Sequence, residues 1–321
     1  MVSNYLSLIE AEIKKTKFGS QPKSLYEPIR YIMALGGKRL RPLLTALSYS
    51  LYKNDIEKII PYAVAVEAFH NFTLMHDDIM DEAPLRRGKA TVHKKWNVNT
   101  AILSGDVMLV KVYDLFLGLE EKKLKRVLKR FNQCAAEVCE GQQWDVEFEN
   151  KKKVSEAEYF EMIRLKTAVL LGFSLELGAL LADASDHDQK ALLDFGTNIG
   201  IGFQLKDDWL DVYADKKKFG KQVGGDILSN KKTFLLIKAM TKATGKTKVE
   251  LNHLLTVKKF DKQKKIKAVT SIYDRLNLSS LTEQKIQSYF DKGFNSLNDL
   301  SNNRKAESLK KFVVSLIDRE V

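Results

Sequence analysis

After residue 84 the sequence has no proline: all five, Pro22, Pro28, Pro42, Pro61 and Pro84, precede that point. An interior proline removes a backbone hydrogen bond and clashes with the preceding turn, so its absence permits long helices over the rest of the chain. Cysteine is almost as scarce. Cys134 and Cys139 fall five positions apart on one predicted helix, point away from each other and lack the spacing of a metal pair. They read as reduced thiols of a cytoplasmic protein. Long apolar runs are missing too. The richest, Ala168 to Ala182, is short and contains Glu176, which predicts a buried helix and no stable membrane insertion. Met1 to Lys17 has early Glu and Lys and no sustained apolar core, so no signal peptide is expected. No interleaving of arginine with aromatics stands out, and nucleic acid is not an expected partner.

What is present is a basic, well-filled chain of 321 residues, 44% hydrophobic and 29% charged, with a formal net charge of +12. Lys151–Lys153, Lys216–Lys218 and Lys258–Lys267 carry much of the excess and read as solvated helix faces and loops. Apolar periodicity predicts an all-α protein, read as a single domain over 1–321. Helices are expected near 3–17, 24–35, 42–52, 59–81, 101–119, 122–150, 155–184 and 187–213. Shorter ones follow near 234–243, 249–255, 261–276, 281–297 and from about Arg304. Polar loops are expected at 82–99 and 215–232.

Two of these helices end in carboxylates. In the first, His70, Leu74, Asp77, Asp78 and Asp81 follow the i, i+4, i+7, i+8, i+11 pattern of one face on an otherwise apolar helix. Clustered oxygen ligands suit a hard cation such as magnesium, which takes one or two carboxylates and fills its shell with phosphate oxygens or water. A charged helix end in water is the plainer reading of one such cluster. Arg86, Arg87 and Lys89 follow; they could pair with the aspartates or grip a metal-bridged phosphate. The second helix repeats the design. Gln204, Asp207, Asp208 and Asp211 share a face, and Lys221, Lys231 and Lys232 lie in the basic loop after it. Two such constellations in one chain are far less probable by chance than one.

With both clusters in view, the chain resembles the trans-prenyl diphosphate synthases of the short-chain type. The resemblance rests on Gly-Gly-Lys-Arg-Leu-Arg-Pro at 36–42, His-Asp-Asp-Ile-Met-Asp at 76–81 and Leu-Arg-Arg-Gly at 85–88. It continues through Gly105-Asp106, Gly141-Gln142 with Asp145, Lys166-Thr167, Gly-Phe-Gln-Leu-Lys-Asp-Asp-Trp-Leu-Asp at 202–211, Gly220-Lys221 and Asp226-Ile227. It implies a helical bundle of the isoprenoid synthase type around a central active-site cavity. It also implies a homodimer, and three magnesium ions per site, replaceable by manganese. Asp77, Asp81 and Asp207 would ligate the ions, with Asp78, Asp208 and Asp211 supporting. Arg86, Lys166 and Lys221 would hold the allylic diphosphate, and Lys38, Arg41, His70 and Arg87 the isopentenyl diphosphate. Thr167, Gln204 and the Lys166 carbonyl would cushion the allylic cation, while His76 steadies the first cluster.

In this family the product tunnel runs from the first cluster past bulky residues just upstream. Phe72 lies five positions before Asp77, or roughly 7 to 8 Å along the helix at about 1.5 Å per residue. One aromatic there, followed by the smaller Thr73, predicts a twenty-carbon product, geranylgeranyl diphosphate. Farnesyl diphosphate and longer polyprenyl products are the alternatives. A class I terpene cyclase would replace the second cluster, and a non-catalytic partner subunit would lose aspartates. Neither change is present.

Overall fold

The computed structural model describes residues 1–214, 223–301 and 306–318. They divide into two compact units: Met1–Gln133 with Phe173–Leu193, and Cys134–Gly172 with the described residues from Asp194 onward.

In the first unit the helix Ile60–Met80 is the central element, packed against the helices Val2–Lys15, Lys23–Ala34, Leu40–Tyr49 and Val98–Phe116. Its sequence explains that position: Ala63 through Phe69 are all buried, and a helix that is apolar around its circumference must be enclosed by others. Behind it lies an aromatic cluster in which Phe131, fully buried, meets Phe69 and Tyr113 edge-on at 5.0 and 5.3 Å. Such pairs contribute about 0.5–1.5 kcal/mol beyond burial.

The segment 82–99, expected as a loop, holds an antiparallel hairpin, Leu85–Arg86 with Lys89–Ala90, and the short helix Val92–Lys95. Arg87 and Gly88 at its tip both have positive φ, 53° and 73°, as the hairpin turn that matches strand twist requires. Among the described residues these are the only strands, and the all-α expectation holds.

The second unit carries the helix Glu156–Ile163, started by a capping box. Ser155 Oγ accepts from the Glu158 amide, and the Glu158 carboxylate accepts from the Ser155 amide, which satisfies two otherwise orphaned donors. The predicted helix 155–184 does not run as a regular α-helix. Arg164–Ala168 form a π turn before the helix Val169–Leu181 resumes. The long helix Asp186–Tyr213 leads to the short helix Gly225–Ser229, inside what was expected to be loop. The helices Phe234–Lys242, Gly245–Thr256, Lys262–Arg275, Leu278–Asn298 and Glu307–Ile317 follow. Leu235, Leu236, Ala239, Leu251, Val269 and Ile272 are among the residues of their core. Cys134 is buried and Cys139 exposed, and neither is in a disulfide. No helix among the described residues is long and apolar enough to cross a membrane.

Candidate active site

On the first unit, positive charge gathers around one side of the central helix. Gly36 and Gly37 turn the chain with φ of 75° and 134°. A Cβ on Gly37 would lie 2.8 Å from Arg87 Cζ, so the glycine admits the guanidinium, which donates to the Gly36 carbonyl. Of the three basic residues that follow, Lys38 is exposed. Arg39 is buried and donates to Glu10 at 2.7 Å, Glu67 at 2.8 Å and the Met33 carbonyl at 2.7 Å. Arg41 lies half-buried with Nη1 3.1 Å from His70 Nε2. A guanidinium can only donate, so Nε2 accepts and the imidazole is neutral, with its proton on Nδ1. Burial, then Arg41, Arg87, Arg86 and Arg39, hold its proton affinity well below the ordinary imidazole range. Cations crowding a neutral imidazole make a surface suited to a polyanion.

Two turns beyond His70 the same helix reaches its carboxylates. Asp78 is buried and receives the Arg86 fork at 2.7 to 2.9 Å. Asp77 is half-buried with Oδ2 3.9 Å from Arg86 Nη2, and Asp81 is exposed at the C-terminal cap. His76 packs its ring on Gly105, where a Cβ would lie 2.2 Å from Nε2, and reaches the Ile102 carbonyl at 3.2 Å. It braces two helices against each other. Phe72 is buried between Phe69 and the His76 ring. Thr73 is tied back to the His70 carbonyl at 2.8 Å.

The second unit centres on the π turn. Such a turn inserts an extra residue into the helix and recurs at functional sites. Lys166 Nζ meets Asp145 Oδ2 at 2.6 Å, and Thr167 Oγ1 donates to Gln204 Oε1 at 3.1 Å. Two glycines let flanking helices close on the turn: a Cβ at Gly141 would lie 2.2 Å from the Lys166 nitrogen, and one at Gly200 2.7 Å from Ala168 Cα. Asp208 is buried, accepting from Tyr159 Oη at 2.7 Å and Gln204 Nε2 at 2.9 Å. Burial raises its pKa, opposed by Lys231 and these two donors. Asp207 is exposed. Asp211 accepts from the Gly225 and Asp226 amides at 3.3 and 3.0 Å and so caps the short helix. Asp226 is pushed up to about 7 by burial, against the pull of Lys231, with Asp208, Asp211 and Asp145 adding to the rise. Lys221 lies outside the described residues.

The second aspartate of each cluster is thus occupied by protein donors, Asp78 by Arg86 and Asp208 by Tyr159 and Gln204. All the candidate donors are carboxylate oxygens, the set a magnesium ion prefers. No three carboxylate, imidazole or thiol groups among the described residues already converge as a metal cage. An ion that fills its shell with substrate phosphate oxygens needs none, and the residues fit it. Sequence reasoning missed Tyr159 and gave Asp145 no role. Asp145 had a local signal, one helical turn after Gly141, whereas Tyr159 had none.

An all-helical chain with two aspartate-ended helices and a cation-lined helix face is matched by the polyprenyl synthetase family model over residues 22–273; the chain belongs to that family. It is 44% identical over 238 residues to a short chain isoprenyl diphosphate synthase of Methanocaldococcus jannaschii, covering 74% of this chain and 72% of that one. A geranylgeranyl diphosphate synthase of Methanosarcina mazei is 42% identical over 244 residues, 75% of each chain. A crystal structure of a geranylgeranyl pyrophosphate synthase superposes with a TM-score of 0.94 at 41% identity, covering 100% of this chain and 99% of the other.

Proposed function

We propose that the protein is a prenyltransferase that condenses isopentenyl diphosphate with an allylic diphosphate, extending it to geranylgeranyl diphosphate and releasing diphosphate. The observation that carries this reading is that one helix bears a neutral imidazole ringed by arginines and, two turns on, a cluster of carboxylates. Around His70, Arg41 and Arg87 positive side chains serve one diphosphate directly. At Asp77 and Asp81, at the end of that helix, carboxylates would serve another through metal. A reaction that joins two diphosphate esters, only one of which ionises, calls for that asymmetry. The named relatives support the substrate class and the twenty-carbon product.

In this reading residues 1–321 work as one domain. Asp77, Asp81 and Asp207 would hold up to three magnesium ions, which supply charge neutralisation to the departing diphosphate. Arg86, Lys166 and Lys221 bind the same leaving group, and their charge counts most as the carbon–oxygen bond breaks. Lys38, Arg41, neutral His70 and Arg87 orient isopentenyl diphosphate. The Thr167 hydroxyl, the Gln204 amide oxygen and the Lys166 carbonyl face the allylic carbon as it becomes positive. Apolar walls exclude water from that cation. The isopentenyl double bond then forms the new carbon–carbon bond, and the proton lost from the adduct passes to the released diphosphate. Phe72 and Thr73 limit the product's length. The enzyme would work as a cytoplasmic homodimer.

The test is incubation of the purified protein with labelled isopentenyl diphosphate and each allylic primer in turn, with magnesium or with chelator. Magnesium-dependent products ending at twenty carbons are expected. Folded protein that condenses no primer would refute the assignment, and a different end point would refute the chain-length reading alone.

A further inference from the structure

Tyr159 belongs to none of the motifs, yet it holds the one buried carboxylate of the second aspartate cluster. It sits 1% exposed on the capped helix Glu156–Ile163. Its ring is wedged against Phe160 at 5.4 Å and Phe234 at 6.4 Å, so packing fixes where the hydroxyl points. From there a chain of hydrogen bonds crosses three elements of the second unit. Tyr159 Oη donates to Asp208 Oδ2 at 2.7 Å, Gln204 Nε2 donates to Asp208 Oδ1 at 2.9 Å, and Thr167 Oγ1 donates to Gln204 Oε1 at 3.1 Å.

Each link constrains the next. A glutamine amide has two orientations of nearly equal shape. A carboxylate accepts and does not donate, so Asp208 selects the orientation with Nε2 towards itself. The carbonyl oxygen then lies on the Thr167 side. Asp208 can select only while its own rotamer is held, and the tyrosine hydroxyl on its second oxygen holds it.

We propose that Tyr159 is a positioning residue for the condensation: by anchoring Asp208 it sets the Gln204 amide, so that Gln204 Oε1 and the Thr167 hydroxyl are presented together to the carbon that becomes positive. Asp208 on this account is an orienting group rather than a metal ligand. The inference rests on the prenyltransferase reading, and wild-type turnover in the same assay separates failure of one from failure of the other.

Tyr159→Phe removes the hydroxyl and keeps the ring packing. A hydrogen bond to a charged group is worth enough that kcat should fall about ten- to a hundredfold. The KM for each substrate and the magnesium requirement should stay within about twofold, because neither diphosphate nor metal is touched. In a Gln204→Ala background the same change should cost less than about twofold, since its target is gone. An unchanged kcat, losses that multiply in the double variant, or an effect on KM or magnesium in place of kcat would each overturn the proposal. Should Tyr159→Phe fail to give a folded protein by circular dichroism, Asp208→Asn takes its place in the cycle. The neutral amide can present either its oxygen or its nitrogen to Gln204, so the acceptor-only group that selects the glutamine orientation is lost, and the same non-additivity with Gln204→Ala is expected.

Discussion

Replacing Gly141 with alanine puts a Cβ 2.2 Å from the Lys166 backbone nitrogen and 2.7 Å from Leu165 C and Lys166 Cα. None of these is the end of a flexible side chain; all three are backbone of the π turn. Ordinary non-bonded contacts begin near 3.5 Å, so the turn must retreat by about 1 Å. Overpacking of this kind costs about 1–3 kcal/mol, and alanine recovers roughly 1 kcal/mol over glycine within a helix. The net loss, about 0–2 kcal/mol, leaves a folded protein. Catalysis should suffer far more, because Lys166 and Thr167 ride on the displaced turn and a misplacement of about 1 Å can cost about a hundredfold. The assay is kcat with saturating substrates beside the thermal midpoint. Gly118→Ala serves as the control, since its Cβ would meet Tyr62 Oη at 3.4 Å and the Leu115 carbonyl at 3.9 Å, both at ordinary contact distance, and both readouts should stay near wild type. A Gly141→Ala enzyme that folds and keeps more than about a third of wild-type kcat would refute the claim that the turn's placement governs the rate.

Arg39→Ala leaves Glu67 buried without its guanidinium; denaturant melts should show a loss of about 3–5 kcal/mol, and a loss below 1 kcal/mol would mean that the cluster is not structural. His70 stays neutral when folded, whereas the unfolded imidazole gains a proton below about pH 6.5. Stability should therefore fall by up to about 1.4 kcal/mol per pH unit below that point. His70→Gln should flatten the slope between pH 7 and pH 5, and an unchanged slope would mean that His70 titrates normally in the fold. Phe72→Ala, which empties a site packed by Phe69 and His76, should cost about 3–5 kcal/mol and extend products beyond twenty carbons on chromatography. An unchanged ladder would move the length limit elsewhere.

The long helices were legible because their apolar spacing is strong and proline is absent, and both aspartate faces followed from the i, i+4 arithmetic alone. The departures have local causes. The hairpin at 85–90 pairs only two residues per strand, too few for an alternating pattern, and its turn places a non-glycine residue, Arg87, at positive φ. The π turn has no signature of its own; Gly141 and Gly200 mark it, but only because distant backbone closes on them. Lys38, Arg39 and Arg41 look alike in sequence. A φ of 45° at Arg39 and two distant carboxylates send that side chain inwards, and neither feature can be read from the residues. Tyr159 was invisible for the same reason, since its partner lies 49 positions away.

The aspartate doublets gain a physical meaning from this division. Neighbouring residues on a helix are about 100° apart, so two adjacent carboxylates on one broad polar face sit at its opposite edges, one turned towards the protein and one towards solvent. At the first cluster Asp78 turns inwards to Arg86 while Asp77 stays partly open. At the second, Asp208 turns inwards to Tyr159 and Gln204 while Asp207 is exposed. One member of each pair anchors the helix end to its own unit, and the other lies nearer the solvent, where the proposed function has it ligate metal. A lone aspartate would supply the ligand without the anchor. Replacing the inner member should therefore disturb the placement of the site, and replacing the outer member its affinity for metal.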